Sequence, residues 1–368
     1  MIAHIVFWTK PSRFIKTCSA PRLLAIDTLM SNATIFFISL FLSTAVLLLE
    51  RTAGLGITFH PDSLTYLTRS QDILQAASVS PSLIPNHGYY FVSAFLGENP
   101  NYLITLNMVL FATTNVILHA AFRTAAIRVA PETLTKGKYF LLYFLLLFSL
   151  YRLHLSVHVL KDTAITLLVV LMVYFGAVRG AVLVPFLALF RLFGVAYIIL
   201  FLNGRALYAA FVIFGVIAIA SGQVDSISSL LLDWNDKDFN FRQGAEVPSF
   251  QGYGLAGVAL RMIVWPVLLL SGFFLFLAPS PLLAPIALSS FILQFWGLII
   301  FRRPVYTLSA FGLLAVIAAL VPGFTTYQRY CLPIITVLPI LFLRVRLRRS
   351  KIDNKFDTQD NSRKARFN

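Results

Sequence analysis

Asp62, Tyr66 and Arg69 stand four and three residues apart in HPDSLTYLTR. This spacing predicts a carboxylate, a phenol and a guanidinium on one face of a short helix opened by Pro61. A carboxylate held there could take a proton from a hydroxyl. Tyr151, His154, His158 and Lys161, spaced three, four and three apart, predict a polar stripe at the outer end of an apolar helix, with Asp162 capping the next one. Two histidines and a lysine at a membrane surface can hold an anion. In TTYQRY, Arg329 and Tyr330 open the last apolar run, and a guanidinium suits bidentate phosphate binding.

Each group also has a plainer reading. Asp62 can serve a helix dipole, Lys161 can snorkel, the histidines can bond between helices, and Arg329 can pair with a carboxylate or a lipid headgroup. His154 and His158 at i, i+4 have a spacing that suits metal ligation, but no HExxH pattern or third ligand is visible beside them. The sequence therefore supports no divalent metal and no other cofactor.

The segments that must position these residues are apolar. Of the 368 residues 58% are hydrophobic and only 12% charged, against about 25% charged in an ordinary soluble domain, and the mean hydropathy is +0.80. Apolar runs at 31–49, 102–122, 139–159, 163–178, 182–202, 206–221, 258–278, 282–301, 305–321 and 331–343 predict an all-α, polytopic transmembrane bundle of about ten spans in the lipid bilayer. The run at 31–49 reads as an uncleaved signal anchor. Pro185 and Arg191 interrupt 182–202, as in a broken helix lining a cavity.

The net charge of +15 is carried by the N-terminal segment 1–30, the connection after the second span and the tail 344–368. The positive-inside rule accounts for it, with both termini cytoplasmic, and no nucleic-acid partner is expected. The tail reads as disordered. The transmembrane domain then covers 31–343 with an external loop at 50–101, while the loop 222–257 would suit either side. Cys18 and Cys331 fall on opposite faces, so no disulfide is expected.

An aspartate four residues before a tyrosine after the first span, a histidine-rich approach to LKD at 160–162, and R-Y-x-x-P at Arg329, Tyr330 and Pro333 together resemble bacterial GT-C-type membrane glycosyltransferases and the related Wzy- or EpsG-like polysaccharide polymerases. The resemblance implies a GT-C-like fold in the bacterial inner membrane. It also implies glycosyl transfer from a polyprenyl-phosphate- or pyrophosphate-linked sugar donor to a glycan acceptor, in assembly of O-antigen, capsule or exopolysaccharide. Asp62 would then be the catalytic base, with His158 the next candidate, and Lys161 and Arg329 would hold the lipid phosphate. Tyr66, Arg69, His154 and Tyr330 would complete the substrate site. No Asp-x-Asp or Glu-x-Asp pair stands in the first external loop, and the small loops favour polysaccharide assembly over protein modification. A transporter or flippase of lipid-linked sugars is the alternative from another class. It should draw ionisable residues from both leaflets, whereas here they cluster mainly on one face.

Overall fold

The computed structural model describes residues 31–80, 87–128, 149–201, 221–242, 250–271 and most of 304–341, with isolated positions between them. Among the described residues every regular element is a helix. In chain order the α-helices longer than four residues are α1 (Asn32–Thr52), α2 (Pro61–Thr68), α3 (Ser70–Val79), α4 (Gly88–Phe95), α5 (Pro100–Arg128), α6 (Leu150–Ser156), α7 (Asp162–Phe175), α8 (Val184–Phe190), α9 (Val224–Arg242), α10 (Gly254–Ser271), α11 (Pro304–Leu320) and α12 (326–338). The basic segments 1–30 and 344–368, Cys18, the apolar run 282–301, and parts of the runs at 139–159 and 206–221 lie outside the described residues.

Two helices are long and apolar enough to cross a membrane, Asn32–Thr52 and Pro100–Ala121, and four other apolar helices are shorter. Local chemistry sets the ends of both long helices. Ser31 Oγ accepts the Thr34 amide at 3.0 Å to start α1, and Asn99 Oδ1 accepts the amides of Asn101 and Tyr102 to start α5. The two helices pack along each other, and α1 buries only Ile35, Ser39, Ser43 and Glu50. Its outer side leaves Phe37 67% and Phe41 71% exposed.

Two predicted spans are shorter than expected because the chain breaks inside them. The run at 182–202 stops at Arg191, whose backbone is extended between α8 and the 3-10 helix Leu192–Phe201. The break anticipated from Pro185 and Arg191 therefore exists. The run at 139–159 ends its helix at Ser156, and residues 157–161 turn before α7 begins. The expectation of a continuous helical stripe from Tyr151 to Lys161 is thus corrected, since helical spacing stops after α6.

The turn survives burial because its carbonyls are satisfied by side chains from three other helices. Arg51 Nη2 donates to Val157 O at 3.4 Å and Ser63 Oγ to Val159 O at 3.1 Å. Asn107 Nδ2 donates to His158 O at 2.7 Å and to Leu160 O at 3.0 Å. Non-helical backbone at such depth is tolerated only when protein groups replace water as partners. Glycine permits the tightest helix contact nearby: a Cβ on Gly88, at the start of α4, would meet Leu189 Cγ of α8 at 2.7 Å.

The apolar core joins α7, α10, α11 and α12 through Val169, Val173, Trp265, Leu313, Leu314, Ile317 and Ile334. Trp265 sits edge-on to Phe324 at 5.4 Å and beside Tyr327 at 5.3 Å. Cys331, buried here, is a free thiol. A smaller cluster of Tyr66, Tyr89, Leu103, Ile104 and Val159 fixes α2 and α4 over the 157–161 turn.

Candidate functional site

Each end of that turn opens on a buried polar cluster. After the turn, Asp162 heads α7, but Lys161 occupies the cap position and no side chain caps the helix. Asp162 is therefore not the cap its position suggested. Its carboxylate is 1% exposed and accepts Arg191 Nη2 on Oδ1 at 2.9 Å, with Arg329 Nε and Nη2 on Oδ2 at 3.1 and 2.7 Å. The remaining Arg329 nitrogen, Nη1, lies 2.9 Å from Asp62 Oδ2.

The result is a ladder running Asp62, Arg329, Asp162, Arg191 across α2, α12, α7 and the break after α8. Only Asp62 reaches toward solvent, its side chain 33% exposed. Arg191 stacks over the Tyr330 ring, 3.7 Å from its centroid, and Tyr197 Oη donates to Tyr330 O at 2.8 Å. Two Arg191 donors, Nε and Nη1, are buried without a hydrogen-bond partner among the described residues. Lys161 lies in the field of all four ladder charges. Burial first, and then the Arg191 guanidinium, push it down to about 7. Lys161 thus stands beside the two Asp–Arg pairs of the ladder. Such a set holds together because breaking a buried pair leaves an uncompensated charge costing about 3 to 5 kcal/mol.

Before the turn, Glu50 at the end of α1 holds two histidines. His154 Nδ1 lies 2.8 Å from Glu50 Oε1, and His158 Nε2 lies 2.9 Å from Glu50 Oε2. His60, preceding α2, brings its Nε2 to 3.1 Å from His154 Nε2. His60 is kept far below the usual imidazole range, at about 2, by burial and then by Arg329, so it is neutral. Phe59 packs against His60, with ring centroids 5.1 Å apart.

The structure brings together six of the eight residues singled out in the sequence. Asp62 and Arg329 belong to the ladder, Tyr330 and Lys161 lie beside it, and His154 and His158 belong to the histidine cluster. Arg329 meets two carboxylates where phosphate was expected, because Asp162 stands opposite it. The other two residues lie apart. Tyr66 is 3% exposed and packs its ring against Tyr89 and Tyr90, each centroid 4.7 Å away. Arg69 is exposed at the α2–α3 junction, while Asp62 turns to Arg329.

Sequence spacing missed Glu50, His60, Asp162 and Arg191 as members of the site. A signal existed for two of them: Glu50 is the acidic residue directly after the first apolar run, and Arg191 the one charge within the fifth. Compared with known proteins, the chain matches no family model, no curated protein and no solved structure.

Proposed function

We propose that this chain is an integral membrane enzyme of the bacterial inner membrane. In this reading it transfers a sugar from a polyprenyl-phosphate- or pyrophosphate-linked donor to a glycan acceptor during assembly of cell-surface polysaccharide. Its spans form a GT-C-like bundle of about ten, both termini are cytoplasmic, and the ladder opens on the outer face. Phe37, Phe41, Leu260, Ile263 and Val267 are large apolar side chains left exposed, which suits lipid rather than water.

The observation that carries the reading is the pair of buried Arg191 donors that have no hydrogen-bond partner among the described residues. Arg191 offers buried Nε and Nη1, Lys161 lies within reach of its charge, and a phosphate would accept from both Arg191 donors at once. The phosphate-holding role assigned to Arg329 passes to Arg191, since Arg329 is already committed to Asp162 and Asp62. Asp62, half-buried at the rim, takes the proton from the acceptor hydroxyl. That oxygen bonds to the anomeric carbon as the carbon–oxygen bond to phosphate breaks. The electron pair leaves with the phosphate, whose charge the cations stabilise.

The test uses purified protein in detergent with polyprenyl phosphate, then with polyprenyl-linked sugars and a glycan acceptor. Arg191→Met should weaken polyprenyl-phosphate binding by about 2 to 5 kcal/mol, the usual loss for a buried charged contact. Absence of binding by the wild-type protein would overturn the reading. So would passage of the lipid across a vesicle bilayer with its sugar–phosphate bond intact, the behaviour of a flippase.

A further inference from the structure

We infer that His60, His154 and His158 form a binding site for a divalent first-row transition-metal ion, zinc by its ligand set, with Glu50 as the carboxylate that orients two of the three ligands. One ring nitrogen from each histidine lies within 4.8 Å of the other two. Around a tetrahedral ion with metal–nitrogen bonds of about 2.0 to 2.1 Å, neighbouring nitrogens stand about 3.3 Å apart. The two Nε2 atoms of His60 and His154 already stand at 3.1 Å.

Glu50 selects which nitrogens are free. A carboxylate only accepts, so His154 donates through Nδ1 and His158 through Nε2. A ring that donates to Glu50 through one nitrogen can offer its lone pair to a metal through the other, Nε2 in His154 and Nδ1 in His158. His158 Nδ1 is buried and has no hydrogen-bond partner among the described residues, which is costly for an acceptor without an occupant. A carboxylate behind a ligating imidazole fixes ring orientation and raises ligand basicity. Here one carboxylate does so for two rings.

Three imidazoles with no thiolate suit zinc, copper, nickel or cobalt rather than magnesium or calcium. Three protein ligands also leave a fourth position for water or substrate. The ion would tie the segment before α2 to α6 and to the turn behind it. It requires nothing of the glycosyl-transfer reading and stands or falls separately.

The experiment uses the full chain purified through a tag that contains no histidine, stripped with chelator and then titrated with cobalt, a spectroscopic stand-in for zinc. The expected result is one cobalt per chain, with the visible absorption of a tetrahedral ion, displaced by zinc. His60→Ala should weaken retention at least about tenfold, and Glu50→Gln about 10- to 100-fold, the range for loss of an orienting partner. His60 is half-buried and outside the helices, so its variant folds even where His158→Ala does not, and it decides the matter. Stripped wild-type protein that holds no more cobalt or zinc than the His60→Ala variant would overturn the site.

Discussion

Arg329 is shared between two carboxylates: Nε and Nη2 lie on Asp162 Oδ2, and Nη1 lies 2.9 Å from Asp62 Oδ2. One side chain on α12 thereby fixes α7, which lies behind it, and α2, which faces outward. Asp162 has a second cation in Arg191, and Asp62 pairs with Arg329 at the rim.

Removing Arg329 should therefore destabilise the fold as well as disturb chemistry. Arg329→Ala leaves Asp162 buried with one cation, and a loss of about 3 to 5 kcal/mol is expected. Thermal unfolding in detergent measures it. Arg329→Lys should recover only part, because one ammonium cannot present three separate N–H groups to two carboxylates. A melting temperature unchanged in Arg329→Ala would mean the ladder contributes nothing to stability.

Asp62→Asn separates chemistry from folding. The amide keeps the shape and position while removing the proposed base, so the variant should insert and bind donor yet turn over about 10² to 10⁴ times more slowly. Product formed at the wild-type rate would hand the proton-accepting role to another group.

Donor binding should depend on pH through Lys161. Its ammonium is lowered from 10.5 to about 7 by burial and Arg191, with Arg329 also opposing the charge and Asp162 and Asp62 favouring it. The cation is thus fully present below about 7 and is lost above it. Polyprenyl-phosphate affinity should fall between pH 6 and pH 8.5, both about one to two units from that midpoint. Lys161→Arg stays charged throughout and should flatten the curve. An equally steep fall in that variant would exclude Lys161 as the titrating group.

The proposed outer placement of the ladder can be tested by labelling. Cysteines introduced at Phe59 and Arg69, both exposed, should react with an impermeant maleimide applied to intact spheroplasts, and a cysteine at Lys355 should react only after permeabilisation. The reverse pattern would put the site on the cytoplasmic side.

Much of the architecture is legible in periodicity, because a helix announces itself locally. The run 32–52 needs only its own apolar residues and Ser31 to form α1. Arg191 likewise betrays the break in the run 182–202, since a charge inside an apolar stretch has to find a partner. The site was less legible. Helical spacing joined His154 to His158, and the structure keeps them together for another reason: the helix ends at Ser156 and Glu50, 104 residues from His154, collects both rings. Asp162 read as a cap because a cap depends on neighbours in sequence. Its actual partners lie 29 and 167 residues away, a distance no local pattern encodes.

The two polar clusters are completed at different moments in the growth of the chain. Arg51, Ser63 and Asn107, which satisfy the carbonyls of residues 157–160, all precede that turn in sequence, as do Glu50 and His60. When the turn emerges from the ribosome, its partners have already been synthesised. Asp162 is in the opposite position, because both of its cations are made later, Arg191 29 residues and Arg329 167 residues after it. The ladder, and the half-exposed Asp62 it holds, therefore closes last. A chain cut short before α12 keeps its histidine cluster and never acquires the guanidinium that joins Asp62 to the interior.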